Sequence, residues 1–152
     1  MLELGCGNGF EAEALAERFP GWRLTATDFD RGMVAATAGR LARFGERVRV
    51  ERADATALPY EDGSFDLAFA VFVWHHVGIW REATFEARRV LREGGSLVLA
   101  DVRHPLAHEP DRGILAGTYG LEALRRAIAD AGFRRMRLGT GAGPWYRLVA
   151  QA

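Results

Sequence analysis

The chain has 152 residues, 49% hydrophobic and 26% charged, with 20 acidic and 20 basic side chains, as expected of a soluble globular protein forming one domain over residues 1–152. Every basic residue is Arg, so Schiff-base and lysine general-base chemistry is excluded; a single cysteine, Cys6, excludes an internal disulfide and a zinc cysteine cluster. No apolar run approaches the ~20 residues of a membrane helix, and the balanced charge gives no strong footprint for nucleic acid.

In chain order, MLEL (1–4) predicts a short strand and FEAEALAERF (10–19) a helix, stopped by Pro20-Gly21. WRLTATD (22–28) is a strand. Residues 31–45 form a helix with Asp30 as N-cap and Gly45 at its end. RVRVERAD (47–54) alternates as a strand does. ALPYEDGS (57–64) is rich in turn residues, and FDLAFAVF (65–72) reads as a strand buried on both faces. A helix over 79–92 stops at Glu93-Gly94-Gly95, and SLVLAD (96–101) is the next strand. Residues 102–117 are a loop. A helix capped by Thr118 closes on Gly132, and strands 135–140 and 145–152 flank GAGP (141–144). The alternation of strand and helix predicts a mostly parallel sheet with helices on both faces.

Gly5, Gly7 and Gly9 fall between the first strand and the first helix. Such a loop turns sharply, lets a ligand approach without Cβ atoms in the way, and leads into unpaired helix N–H groups. The spacing is not the dinucleotide G-x-G-x-x-G, because Phe10 stands where the third glycine belongs. A phosphate-binding Walker loop fails for want of lysine. Glu11 and Glu13 in the first helical turn complement the helix dipole but repel a pyrophosphate. The loop therefore favours a nucleoside ligand without phosphate.

Taken together, LELGCGNG (2–9), TATDFD (25–30), ERADATALPY (51–60), DGSFDLAFAVFVWHHV (62–77), RVLREGGSLVLAD (89–101) and AGFRRMRL (131–138) resemble, in order, the motifs of class I S-adenosylmethionine-dependent methyltransferases of the small-molecule type. The resemblance implies a Rossmann-like doubly wound α/β sheet of seven strands, order 3-2-1-4-5-7-6, with strand 7 antiparallel. It implies S-adenosylmethionine as cofactor, S-adenosylhomocysteine as product, and methyl transfer to a small-molecule acceptor. Asp28 takes the place of the acid that binds the ribose hydroxyls, Met33 that of an apolar side chain packed on adenine, and Asp54, with Ala55, that of the acid facing the adenine amino group. Glu3, Gly5, Cys6, Gly7, Phe29, Val71 and Phe72 complete the cofactor contacts that the resemblance assigns.

His75 and His76 follow the fourth strand, at the carboxyl edge where open α/β sheets bind ligands. A substrate-side role, as base for a hydroxyl acceptor, is expected of one of them. Trp74 and Trp80 are candidates either for an apolar acceptor pocket or for the core. Asp101, His104, His108, Glu109 and Asp111 are a weaker candidate metal cluster; Pro105 breaks any helix between the two histidines. The fourth strand ends in Ala70-Val71-Phe72 without the acid of the family's metal-dependent branch, so no metal is expected.

The family usually carries helices ahead of the first strand, and here the first strand begins at Met1. Two expectations follow: a homodimer through the uncovered sheet face, and, as the alternative function, a methyltransferase-like module that binds cofactor without catalysis. No secretory leader is read at the N-terminus, so a cytoplasmic location is expected, with no membrane or nucleic-acid partner.

Overall fold

The computed structural model describes residues 1–102, 119–140 and 143–152. Its strands are β1 (Leu2–Leu4), β2 (Leu24–Asp28), β3 (Val48–Arg52), β4 (Phe65–Val71), β5 (Leu91–Val102), β6 (Arg134–Thr140) and β7 (Trp145–Gln151). They form one sheet in the order β3-β2-β1-β4-β5-β7-β6. All neighbours are parallel except β7, which runs antiparallel to β5 and to β6. The sheet is the one that the motifs imply, with its final strand reversed.

Side-chain alternation divides this sheet into two cores. Leu2, Leu4, Ala68, Ala70, Leu97 and Leu99 face the helices α3 (Trp80–Val90) and α4 (Leu121–Asp130). Those helices reply with stripes at helical spacing: Ala83, Ala87 and Val90 from α3, and Leu124, Ala127 and Ile128 from α4. On the opposite face Ala26 and Phe69 pack with Ala12 and Ala16 of α1 (Phe10–Arg18) and Leu41 of α2 (Arg31–Leu41). Small residues on α1 let it lie close to the sheet. β1 has only three residues, but all are buried, and it pairs with strands on both sides.

Three boundaries differ from expectation. α2 ends at Leu41, and a 3₁₀ stretch carries the chain to Arg47, with Gly45 at φ 58°. Glu93-Gly94-Gly95 lies inside β5 rather than before it. The β4–β5 pairing jumps there from Phe65↔Leu91 to Leu67↔Ser96, so the three residues form a bulge. α4 begins at Leu121 after Gly120; the expected cap Thr118 lies outside the described residues, as do Gly141 and Ala142 of the expected turn. Asp30 does cap α2, its Oδ1 accepting from the N–H groups of Gly32 at 2.7 Å and Met33 at 3.0 Å.

Candidate active site

The loops after β1, β2, β3 and β4 converge at the carboxyl edge of the sheet on a cavity of about 740 Å³. Nine of the expected cofactor residues line it: Gly5, Cys6, Gly7, Asp28, Phe29, Asp54 and Ala55, with Val71 and Phe72 from β4 and its end. Asn8, Glu11, Thr27, Ala53, Thr56, Val73 and residues 77–79 complete the wall. The resemblance assigns none of these a role, although all but Glu11, Gly78 and Ile79 fall within its motif stretches.

The glycines have separate reasons. A Cβ on Gly5 would sit 2.4 Å from Val73 Cγ1, and its φ is +72°, so the loop folds against the β4 turn only without a side chain. A Cβ on Gly7 would meet nothing within 4 Å. The open space beside it is the cavity, which Gly7 lines.

Asp28 ends β2, and its carboxylate organises this loop. Oδ2 accepts the Gly7 N–H at 2.8 Å and Oδ1 the Asp30 N–H at 2.9 Å. A carboxylate has about four acceptor positions, so two remain for hydroxyls in the cavity. Asp54 forms a local turn: Oδ1 accepts from the Thr56 N–H at 2.9 Å and the Thr56 hydroxyl at 2.7 Å. Those bonds hold the Asp54 carboxyl below its ordinary range, so it faces the cavity as an anion. Phe29 stands at the rim with the Arg52 guanidinium 4.9 Å from its ring.

Glu3 and Cys6 lie beneath the loop. Glu3 is 2% exposed, and its Oε2 has no hydrogen-bond partner. Burial first, then Glu11 and Asp28, push its carboxyl up to about 8. Cys6 is buried, and burial chiefly pushes its thiol up to about 11, so it is an inert packing residue and no nucleophile. Met33, 43% exposed, lies off the cavity wall, whereas the exposed apolar residues Phe29, Phe72 and Ile79 line it.

On the far wall, Phe72 adopts φ 57°, a left-handed conformation rare for an aromatic residue. Its N–H donates to Ala100 O at 2.9 Å, and its ring meets Trp145 edge-on at 4.7 Å between centroids. His76 lines the cavity, with the His75 ring tilted against it at 3.9 Å. His75 Nδ1 lies 2.6 Å from Asp101 Oδ1, and its backbone N–H donates to Asp101 Oδ2 at 3.1 Å. Asp101 is 2% exposed and also accepts the Val102 N–H at 2.7 Å. Behind it, the buried hydroxyls of Tyr119 and Tyr146 bond to each other. Both phenols are pushed upward, chiefly by burial, and stay neutral.

Asp101 was missed as the partner of a histidine. The signal was available: β5 neighbours β4, and Val71 pairs with Ala100, so Asp101 falls one step beyond that pairing. Trp74 and Trp80 are core residues, not cavity walls; Trp74 is fully buried, and Trp80 packs on Tyr119 at 4.8 Å. Of the candidate metal cluster, His104, His108, Glu109 and Asp111 lie outside the described residues. Among the described residues no group of three or more His, Cys, Asp or Glu side chains is placed to hold a metal. No helix among them is long and apolar enough to cross a membrane.

Comparison with known proteins agrees with this geometry. A family model described as "Methyltransferase domain" matches residues 2–99. The chain is 36% identical over 105 residues to a demethylmenaquinone methyltransferase of Thermus thermophilus, covering 69% of this chain and 48% of that protein. It is 33% identical over 153 residues to a malonyl-[acyl-carrier protein] O-methyltransferase of Geobacter sulfurreducens, covering 91% and 57%. The chain thus spans about half the length of these curated relatives. A solved SAM dependent methyltransferase from Aquifex aeolicus superposes with a TM-score of 0.80 at 22% identity, over 98% of this chain and 79% of that one, and shares the fold. With the domain match running from β1 through most of β5, the sheet order and the glycine loop agreeing with it, the chain belongs to the class I S-adenosylmethionine-dependent methyltransferase family.

Proposed function

We propose that this chain transfers a methyl group from S-adenosylmethionine to a hydroxyl of a small-molecule acceptor. The residues present suit that cofactor. Gly7 leaves room for its close approach, and Asp28 keeps two acceptor positions for ribose hydroxyls. Asp54 faces the cavity as an anionic acceptor for an amino group. Three carboxyl groups, Glu11, Asp28 and Asp54, line the cavity, a setting that favours a cation and repels phosphate. When bound, the cofactor supplies a methyl group activated on a sulfonium sulfur.

The observation that carries the reading is the His75–Asp101 pair beside the cavity. Asp101 accepts from Nδ1–H, so Nε2 carries the free lone pair of the neutral imidazole. Nε2 of His75 takes the acceptor's hydroxyl proton, and Asp101 stabilises the imidazolium that results. His76 and Phe72 shape the wall against which the acceptor is held, and positioning supplies much of the rate. The names of the relatives, a demethylmenaquinone and a malonyl-[acyl-carrier protein] methyltransferase, support small organic acceptors.

Calorimetry with S-adenosylhomocysteine and with NAD tests the binding half, and turnover on a panel of phenols, alcohols and carboxylic acids tests the chemistry. Micromolar binding of S-adenosylhomocysteine, no binding of NAD, and methylation of a hydroxyl acceptor are expected. Absence of S-adenosylhomocysteine binding overturns the reading. Binding without turnover across the panel selects the second reading, a cofactor-binding module without catalytic activity.

A further inference from the structure

The residue that the proposed chemistry leaves unused is Glu3. It sits in the centre of the sheet, opposite Ala26 of β2 and Phe69 of β4 in register. Both neighbours belong to the apolar core under α1 and α2, so alternation sends the Glu3 carboxyl into that core. A carboxyl group there needs partners, and Oε2 has none. The ionisable groups near enough to share its electrostatic field are Glu11 from the first turn of α1, Asp28 from the end of β2 and Cys6 from the glycine loop. None is a cation. Glu11, Asp28 and Cys6 all line the cavity, so Glu3 lies directly beneath its floor.

A carboxylate in this position would be buried, short of a hydrogen bond and flanked by two like charges. Each condition favours the neutral acid. A cation entering the cavity offsets the last of these, because it supplies the opposite charge that the protein itself withholds. We infer that Glu3 is a proton-linked charge sensor: protonated while the cavity holds no cation, and ionised when the cationic cofactor binds. The Glu3 O–H bond breaks, the proton passes to solvent buffer, and the carboxylate retains the electron pair and faces the bound positive charge. This rests on the proposed cofactor and adds to it a coupling between binding and pH.

The direction follows from linkage. A carboxyl group titrating at about 8 is mostly protonated at neutral pH, so binding there releases up to ~0.9 proton. Affinity for S-adenosylmethionine should rise about tenfold from pH 7 to its plateau at about pH 9 and above, where Glu3 is already ionised. His76 also lines the cavity. Glu3→Gln separates the two, since it leaves His76 in place and mimics the neutral acid in shape.

The test is titration of the wild-type chain with S-adenosylmethionine in phosphate and in Tris buffer at about pH 7, repeated near pH 9. The apparent heats should differ between buffers by the ionisation enthalpy of nearly one proton at the lower pH and converge at the higher. In Glu3→Gln the difference should vanish and the pH dependence of affinity flatten. Buffer-independent heat in the wild type, or undiminished proton release in Glu3→Gln, overturns the inference. An absence of any binding heat in the wild type refutes the cofactor reading instead, so the two failures are distinguishable.

Discussion

His75 and Asp101 meet across two adjacent strands: Nδ1 to Oδ1 is 2.6 Å, while the same carboxylate accepts the His75 main-chain N–H at 3.1 Å. Two contacts from one buried carboxylate fix both the position of the ring and its tautomer. The other ring nitrogen, Nε2, is thereby left as acceptor. Asp101→Asn keeps the shape but no longer demands a proton on Nδ1. Turnover should fall by ~10²–10⁴-fold, as loss of the orienting carboxylate does in other histidine bases. S-adenosylhomocysteine affinity should stay within about twofold, because Asp101 lies outside the cavity wall. Steady-state kinetics beside calorimetry checks both, and equal losses in rate and in cofactor binding would refute the positioning role.

Gly5 and Gly7 should fail in different ways when replaced by Ala. At Gly5 the new methyl collides with Val73 at 2.4 Å in a left-handed backbone. A loss of about 2–4 kcal/mol is expected from strain and overpacking together. At Gly7 no protein atom is in reach, so only the conformational cost of about 1–2 kcal/mol applies. Its methyl instead enters the space reserved for ligand. Thermal denaturation should therefore penalise Gly5→Ala more, while Gly7→Ala should lose S-adenosylhomocysteine binding at least tenfold yet remain folded.

Asp28→Ala removes the acceptor for the Gly7 and Asp30 N–H groups together with the proposed ribose contacts. Hydrogen bonds to charged groups contribute about 1.5–3 kcal/mol each. A loss of at least 100-fold in S-adenosylhomocysteine affinity is expected by calorimetry. Unchanged affinity would show the ribose assignment to be wrong.

Glu3 also links stability to pH. Its carboxyl rises from an ordinary 4.5 to about 8 in the folded chain, so folding retains a proton that the unfolded chain loses. Its contribution to stability is fully present below pH 4.5 and is lost as pH rises through 8. Glu3→Gln has nothing to lose. Without cofactor, the variant should nearly match the wild type near pH 5 and exceed it near pH 9 by about 4 kcal/mol. Denaturant titrations at the two pH values measure this; parallel curves for the two proteins would show that Glu3 is ionised when buried.

The sheet and much of the cavity were legible because their signals are local. A run such as FDLAFAVF can be a central strand on apolar content alone, and Asp30 announces a helix by its own cap. The bulge at Glu93-Gly94-Gly95 read as a helix stop because glycines break both helix and ladder; backbone hydrogen bonds linking Gly94 and Gly95 to Ala152, not pairing with β4, tie them into the sheet. Trp74 and Trp80 show the same limit. An aromatic residue beside a site suits a pocket or a core equally, and here Trp74 is wholly enclosed.

What the sequence determined by itself was the order of elements, the family through its motifs, and the glycine loop's rejection of a dinucleotide. Each depends on residues close together in the chain, where spacing stands in for geometry. Tertiary structure alone decided which groups meet. Asp101 reaches His75 across 26 positions, and Glu3 is pressed against the charge of Asp28 and Glu11 from different elements. Those encounters depend on strand register and on the exclusion of water, which no local pattern encodes. They turn a histidine into a candidate base and a strand glutamate into a buried acid.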